Sequence, residues 1–535
     1  MTGSGRFGRR AVIGALLAGW AALAAGPAAA GAPAVSELPA PRPGGAEGPA
    51  TGAAALAEAA MRGGLTGRVG FALIDLETGD MLEAMRAEEG FPPASVAKAV
   101  TAQYALERLG PEHRFETRLV TTGPVEGGIV QGDLVLVGGG DPELDTEDLA
   151  ELAAQAHGRG LTGVAGRFLV DPGLPEAPRI DPEQREEAAY NPGVGGLNLN
   201  FNRVLFSWTP KADGEVTLAL EARAWGATAT PRTVAVALAD DAEAVFTRRD
   251  AEGMELWSVE RGVLRREGRR WLPVRRPALH AGDVFRSLAA ERGLDLPAPE
   301  AAPGRTPPDA VAVAQRFSRP LGAILAEMLE HSTNLTAEAA GLAASGAPDM
   351  AASGAAMSAW AAGRLGPTRR AEATAGRAAL AAGVASRLLA AEAAEAAPPG
   401  MDLRNHSGLS ALSRATPAAM AGFLRAAARS GGGEAAPGAL EPLMEPLKLD
   451  ARRGEVELPD GVSAAAKTGT LNYVRGLGGY VTAASGRRLA FAIFSEDLAR
   501  RAALADPAAS GASRGWLGRA RRMERAMVRD WAARW

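Results

Sequence analysis

Two consecutive prolines, Pro92 and Pro93, end whatever extended structure precedes them, because neither can donate a ladder hydrogen bond and each fixes its own φ. The residues that follow, Ala94-Ser95-Val96-Ala97-Lys98, open a helix that Gly110-Pro111 stops after Leu109. On that helix Ser95 and Lys98 stand at i and i+3, one turn apart on one face, so an amine nitrogen reaches a hydroxyl oxygen. A hydroxyl is a weak nucleophile until an adjacent base takes its proton, and a desolvated lysine is such a base. Arginine is not, since its guanidinium keeps its proton in a protein. The 535 residues contain only four lysines against a Lys and Arg total of 58, and a second motif lysine, Lys467, stands in Lys467-Thr468-Gly469-Thr470. Lys211 and Lys448 carry no assigned role.

The neighbourhood of these motifs has a readable local structure. Val69, Phe71 and Leu73 alternate as a half-buried strand, Glu77-Thr78-Gly79-Asp80 is a turn, and Met81-Leu82 begins the return strand of a hairpin. Leu321, Ile324, Leu325, Met328 and Leu329 keep helical spacing up to Ser332-Thr333-Asn334, after which an Ala- and Glu-rich helix follows. Such a turn between helices aims a hydroxyl and a carboxamide into one cleft. Lys467 lies on a strand that opens an antiparallel meander through Tyr480-Val481 and Leu489 to Phe494, with Ser485-Gly486 as a turn. Gly469 lets another backbone approach that strand closely.

Ser-x-x-Lys, Ser-x-Asn and Lys-Thr-Gly in this order resemble the motif set of the penicillin-binding protein and serine β-lactamase superfamily. Gly138-Gly139-Gly140-Asp141-Pro142, Tyr190-Asn191-Pro192-Gly193, Leu197 to Asn202, and Ser407-Gly408-Leu409-Ser410 are similar to landmarks of the D-alanyl-D-alanine carboxypeptidase/endopeptidase family, the class C low-molecular-mass penicillin-binding proteins. The long interval between Lys98 and Ser332 fits that family, which resembles a β-lactamase with large domains inserted after the first motif. The resemblance implies an α+β fold: a β-lactamase/transpeptidase-like domain, with an antiparallel five-stranded sheet flanked by helices, carrying large α/β and β-rich inserted domains. The expected catalytic domain comprises residues 51–118 and 301–535, with the inserts at 119–300, and Pro-rich sequence from Pro297 to Pro308 marks the boundary before the main domain resumes.

By the same resemblance Ser95 is the nucleophile, Lys98 the general base and Ser332 the proton relay. Asn334 holds the substrate amide, Lys467 shapes the field, and Thr468, Gly469 and Thr470 border the place of the substrate's terminal carboxylate. The backbone N–H groups of Ser95 and Thr470 form the oxyanion hole. No metal or cofactor is implied. The expected partners are peptidoglycan peptides as substrate and β-lactams as covalent inhibitors. A β-lactamase, an esterase, or a non-catalytic wall-binding protein of the same fold is the alternative. The family's usual Asp-Gly before Ser407-Gly408 is replaced by Asn405-His406, so a contact at the cleft wall is expected to differ.

Composition narrows the field further. A formal charge of -4 gives no electrostatic case for nucleic-acid binding, and the absence of cysteine excludes disulfides and thiolate chemistry. The five histidines show no close metal-ligand spacing. Residues 1–30 read as an export signal, with Arg9-Arg10 ahead of an apolar run and Ala28-Ala29-Ala30 at its end, which suits periplasmic delivery, by the twin-arginine route among others. Residues 31–50 are a Pro-, Gly- and Ala-rich lead-in. The basic amphipathic segment from Arg514 to Trp535 packs on the sheet or, alternatively, makes a peripheral membrane contact.

Overall fold

The computed structural model describes residues 52–365, 400–430, 439–449, 458–504, 511 and 513–535, apart from 225, 241–244 and 252. The expected export signal and the lead-in lie outside the described residues.

The alternating segment around Phe71 forms β1 (Arg68–Asp75), which turns back into β2 (Met81–Met85). Asp75 makes this turn by accepting the N–H groups of Glu77 and Thr78 at 2.8 and 2.9 Å. The Lys467 segment supplies β3 (Ser463–Leu471), followed by β4 (Val474–Thr482) and β5 (Arg488–Glu496). These five strands form one antiparallel sheet in the order β2-β1-β5-β4-β3, so Lys467 stands on an edge strand.

Both faces of the sheet are covered, so β4 and β5 are buried along nearly their whole length. On one face Val69, Phe71, Leu477, Phe491 and Ile493 meet helix α1 (Gly52–Arg62) and the last helix of the chain, Arg514–Arg534. On the other, Ala72, Ile74, Ala492 and Phe494 meet α2 (Ala97–Leu109), α3 (Leu321–His331), α4 (Asn334–Ser345), α5 (Met350–Arg364) and α6 (Pro417–Ser430). The last helix, α7, buries Trp516, Met523, Met527, Val528 and Trp531 on the sheet. Its apolar stripe is therefore occupied by protein. Among the described residues no helix is long and apolar enough to cross a membrane.

A second five-stranded sheet lies between the first motif and α3. Its order is Pro299–Ala301, Phe168–Asp171, Leu134–Val137, Glu116–Thr121 and Val311–Phe317, with parallel and antiparallel pairs, and the helices Thr146–Gly158 and Pro277–Ala290 pack against it. Residues 203–273 form two smaller sheets around Phe206, Trp257 and Leu272.

The pairing of Glu116–Thr121 with Val311–Phe317 moves the expected junctions. The Pro-rich segment at 297–308 precedes the final strand of the inserted sheet instead of following it. Residues 301–317 thus belong with the insert rather than with the catalytic domain. We place the two chain crossings at Phe115 and Ser318, which are tied by Ser318 N–H to Phe115 O at 2.8 Å and Phe115 N–H to Ser318 Oγ at 2.9 Å.

Trp531 is fully enclosed, with its ring 5.9 Å from Phe71 and 5.7 Å from Phe491. Trp531→Ala is expected to destabilise the protein by about 3–5 kcal/mol, the usual cost of emptying a large aromatic site. A denaturant titration followed by tryptophan fluorescence checks this.

Candidate active site

The proline pair delivers Ala94 in a left-handed conformation (φ 45°) and then one 3-10 turn, Ala94–Val96, that runs into α2. Ser95 lies in that turn, partly exposed, and Lys98 is fully buried one turn on. Lys98 Nζ is 3.0 Å from Ser95 Oγ, and it donates to Asn334 Oδ1 and to the carbonyl of Ser407, both at 2.8 Å. Burial pushes the amine well below the ordinary lysine range, Lys467 pushes it further in the same direction, and Glu338 opposes both. An amine at this distance, in its neutral form, is placed to take the Ser95 proton.

Asn334 is the first residue of α4 and Ser332 caps α3 in the left-handed region (φ 58°), so the tight corner between the two helices sets both. Ser332 is half-buried, and its hydroxyl makes no hydrogen bond to a protein group among the described residues. Asn334 is held from both ends of its amide, since Nδ2 donates to the carbonyl of Tyr190 at 3.0 Å. The insert therefore reaches the cleft.

Edge strand β3 lies against the nucleophile's turn. A Cβ on Gly469 would stand 2.6 Å from Pro93 O and 3.0 Å from Ser95 N, so only glycine fits there. Lys467 is buried, and its pKa is lowered to about 8, by burial first, with Glu445 opposing and Arg475 adding to the fall. It remains largely cationic at neutral pH. Thr468 is half-buried and Thr470 exposed at the strand edge. Arg475, paired with Thr470 across the strands, donates to Thr470 Oγ1 at 2.7 Å and through Nε to Glu524 of α7 at 2.9 Å. With its oxygen engaged as an acceptor, Thr470 keeps its own O–H free for a ligand.

Sequence reading missed Tyr190, Glu338, Ser407, Arg475 and Glu524 as parts of this site. Tyr190 and Ser407 lie in segments marked by the family resemblance, but nothing in their spacing tells that a backbone carbonyl is what each contributes. The Asn405-His406 departure was expected at the cleft wall. Instead both side chains point inward: His406 is fully buried, with Nε2 2.6 Å from Ser353 Oγ and Nδ1 3.2 Å from Met357 Sδ, and burial lowers its pKa to about 3. A Cβ on Gly341 of α4 would overlap the imidazole, so this glycine makes the room the larger residue needs. Gly341→Ala is expected to destabilise the fold by about 1–3 kcal/mol through overpacking. Adding His406→Gly should recover part of that loss, and thermal melting of the two single variants and the double variant measures the coupling.

Comparison with known proteins agrees with this geometry. The family model described as the D-Ala-D-Ala carboxypeptidase 3 (S13) family matches residues 53–366 and 371–513. A curated relative, the D-alanyl-D-alanine carboxypeptidase of Actinomadura sp. (strain R39), is 34% identical over 172 residues, which is 30% of this chain and spans only 31% of that protein's length. Among solved structures, penicillin binding protein 4 (dacB) from Haemophilus influenzae superposes with a TM-score of 0.60 at 18% identity, covering 86% of this chain and 95% of that one. The same protein complexed with a novel β-lactam gives 0.64 at 18% identity, with 89% and 99% covered. At that identity the likeness shows the fold, which is the penicillin-binding one. With the family model covering most of its length, the chain belongs to the D-Ala-D-Ala carboxypeptidase 3 (S13) family.

Proposed function

We propose that this protein is a serine DD-peptidase that hydrolyses D-alanyl-D-alanine termini, and D-alanyl cross-links, of peptidoglycan through a Ser95 acyl-enzyme. The observation that carries the reading is the buried amine of Lys98 at 3.0 Å from Ser95 Oγ, a nucleophile and base pair that needs no histidine. Lys98 takes the hydroxyl proton as Ser95 Oγ attacks the carbonyl after the first D-alanine. The N–H groups of Ser95 and Thr470 receive the developing oxyanion, an arrangement worth roughly 3–4 kcal/mol per preorganised donor. The C–N bond breaks as Ser332 passes the proton on to the leaving amine, and water then hydrolyses the ester. Asn334 binds the substrate amide. Lys467, with the hydroxyls of Thr468 and Thr470 beside Gly469, receives the terminal carboxylate. β-Lactams, which present a carboxylate and an acylating carbonyl together, enter the same way.

Delivery to the periplasm by the segment at 1–30 belongs to this reading, since its substrate lies there. A membrane contact through α7 does not, because the helix's apolar stripe is covered by the sheet.

Muropeptides ending in D-Ala-D-Ala should release D-alanine, and Ser95→Ala should abolish both that release and covalent labelling by fluorescent penicillin. Lys98→Arg should be as inactive as Ser95→Ala, whereas Lys467→Arg, which keeps the charge, should retain more activity; full activity in Lys98→Arg would refute the assignment of the base. Stable labelling without rapid turnover separates this reading from a β-lactamase, and absence of labelling would favour a non-catalytic protein.

The carboxylate contact also sets a pH dependence. Lys467 loses its proton as the pH rises through about 8 rather than near 10.5. KM for a free-carboxylate peptide should therefore climb above about pH 8, and the corresponding C-terminal amide, a poorer substrate throughout, should show no such climb. Steady-state kinetics on the two peptides decides.

A further inference from the structure

One buried carboxylate beside the cleft has no part in the reaction just outlined. Glu338 lies one helical turn after Asn334 on α4, so both residues occupy the same helix face. Its side chain is fully enclosed, a state that carboxylates occupy only with strong partners. Glu338 accepts the N–H of Ser407 at 2.8 Å and the N–H of His406 at 3.1 Å, and the Ser407 hydroxyl also hydrogen-bonds to it. The carbonyl of the same Ser407 accepts a hydrogen bond from Lys98. Residue 407 is thus tied at both ends, to a carboxylate through its N–H and to the catalytic amine through its C=O. The next residue, Gly408, has φ 70° and packs so closely on the carbonyl of Ala94 that a Cβ has no room, which presses this loop onto the nucleophile's turn.

We propose that Glu338 is a positioning residue for acylation: by gripping residue 407 it directs that carbonyl at Lys98 Nζ, and it sets a negative charge beside the amine. The inference rests on the Ser95 acylation reading above. The charged and titratable groups around Lys98 support it. Lys467 depresses the amine's proton affinity and Glu338 raises it, while His406 in the same loop is kept neutral by burial. Glu445 and Arg475 act at one remove, through Lys467. Burial raises the pKa of Glu338 itself, opposed by its hydrogen bonds from residues 406 and 407 and by Lys98. Glu338 thus limits how far the proton affinity of Lys98 falls, and His406, whose N–H it also holds, occupies the space that Gly341 provides.

The test is the rate of acylation by fluorescent penicillin as a function of pH, measured on the full-length wild type, Glu338→Gln and Glu338→Asp, with circular dichroism to confirm folding. In Glu338→Gln the charge is gone and one N–H faces an amide NH2. Its plateau rate should fall about tenfold or more, and its acid limb should move down by about one pH unit, since the neutral amine then persists to lower pH. Glu338→Asp keeps the charge with a shorter reach, so its plateau should fall while its limb stays with the wild type. A carboxylate that only supports the fold would reduce the amount of folded enzyme and leave the limb of Glu338→Gln in place, and that result would overturn the proposal. If Glu338→Gln is recovered unfolded, Glu338→Asp decides alone: a lowered plateau with the wild-type limb supports the proposal and a wild-type rate sinks it. A wild type that takes no label removes the acylation reading and this inference together, whereas a labelled wild type with indifferent Glu338 variants removes only the inference.

Discussion

A lysine amine is kept out of water by the fold and given three polar neighbours in its place, and the cleft is organised around that exchange. Desolvating an ammonium is costly unless it is paired or allowed to lose its proton. Lys98 has the hydroxyl of Ser95 on its own helix, the carboxamide of Asn334 on α4 and the carbonyl of Ser407 in the loop that precedes α6. Asn334 and Ser407 both lie more than two hundred residues beyond Lys98 in sequence order. The helical face of the sheet must therefore be assembled before the amine has its surroundings, and its lowered proton affinity exists only in the folded protein.

The periphery holds the cleft's edges in a similar way. The insert contributes a carbonyl, that of Tyr190, which fixes the free end of the Asn334 amide. The last helix contributes Glu524, which fixes Arg475 and through it the Thr470 hydroxyl on the edge strand. An edge strand has one side unpaired and is the part of a sheet most free to shift. Anchoring Thr470 through Arg475 and its buried ion pair to α7 ties that edge to the face of the sheet where Trp531 lies. Breaking such a pair from one side leaves an unpaired buried charge, so α7 and the carboxylate end of the cleft are coupled.

The sequence made the reacting atoms legible and left their supports hidden, for a physical reason. Ser95 and Lys98 are one helical turn apart, and Lys467, Thr468 and Gly469 are contiguous, so period and spacing suffice to place them. The hairpin at Arg68–Met85 and the meander of β3 to β5 are equally local. Glu338 looked like any glutamate of an Ala-rich helix, because its meaning lies in two N–H groups of a loop some seventy residues on. The strand Val311–Phe317 was assigned to the wrong side of a junction because a run of prolines marks a break in structure without saying which domain follows it. His406 was expected at the cleft wall because its place in the chain adjoins Ser407; that it turns inward depends on Gly341, which has no pattern of its own.

The two motif lysines differ in proton affinity because their surroundings are graded. Lys98 is wholly enclosed and has Lys467 near it, and both influences lower its proton affinity. Lys467 is nearly as buried, but it lies on an edge strand with Glu445 in support, so its pKa falls only to about 8. Arg475 presses Lys467 in the opposite sense. Glu524 pairs with that guanidinium at 2.9 Å, which moderates its effect on its neighbour. In the proposed reaction, two titratable groups whose environments separate their proton affinities divide the roles of base and fixed cation between them. Arginine in place of Lys98 cannot take part in that division at all, and in place of Lys467 it keeps the charge and loses only the compact shape. In a chain that otherwise favours arginine, the proposed reaction makes lysine at position 98 a chemical requirement, and at position 467 a geometric one.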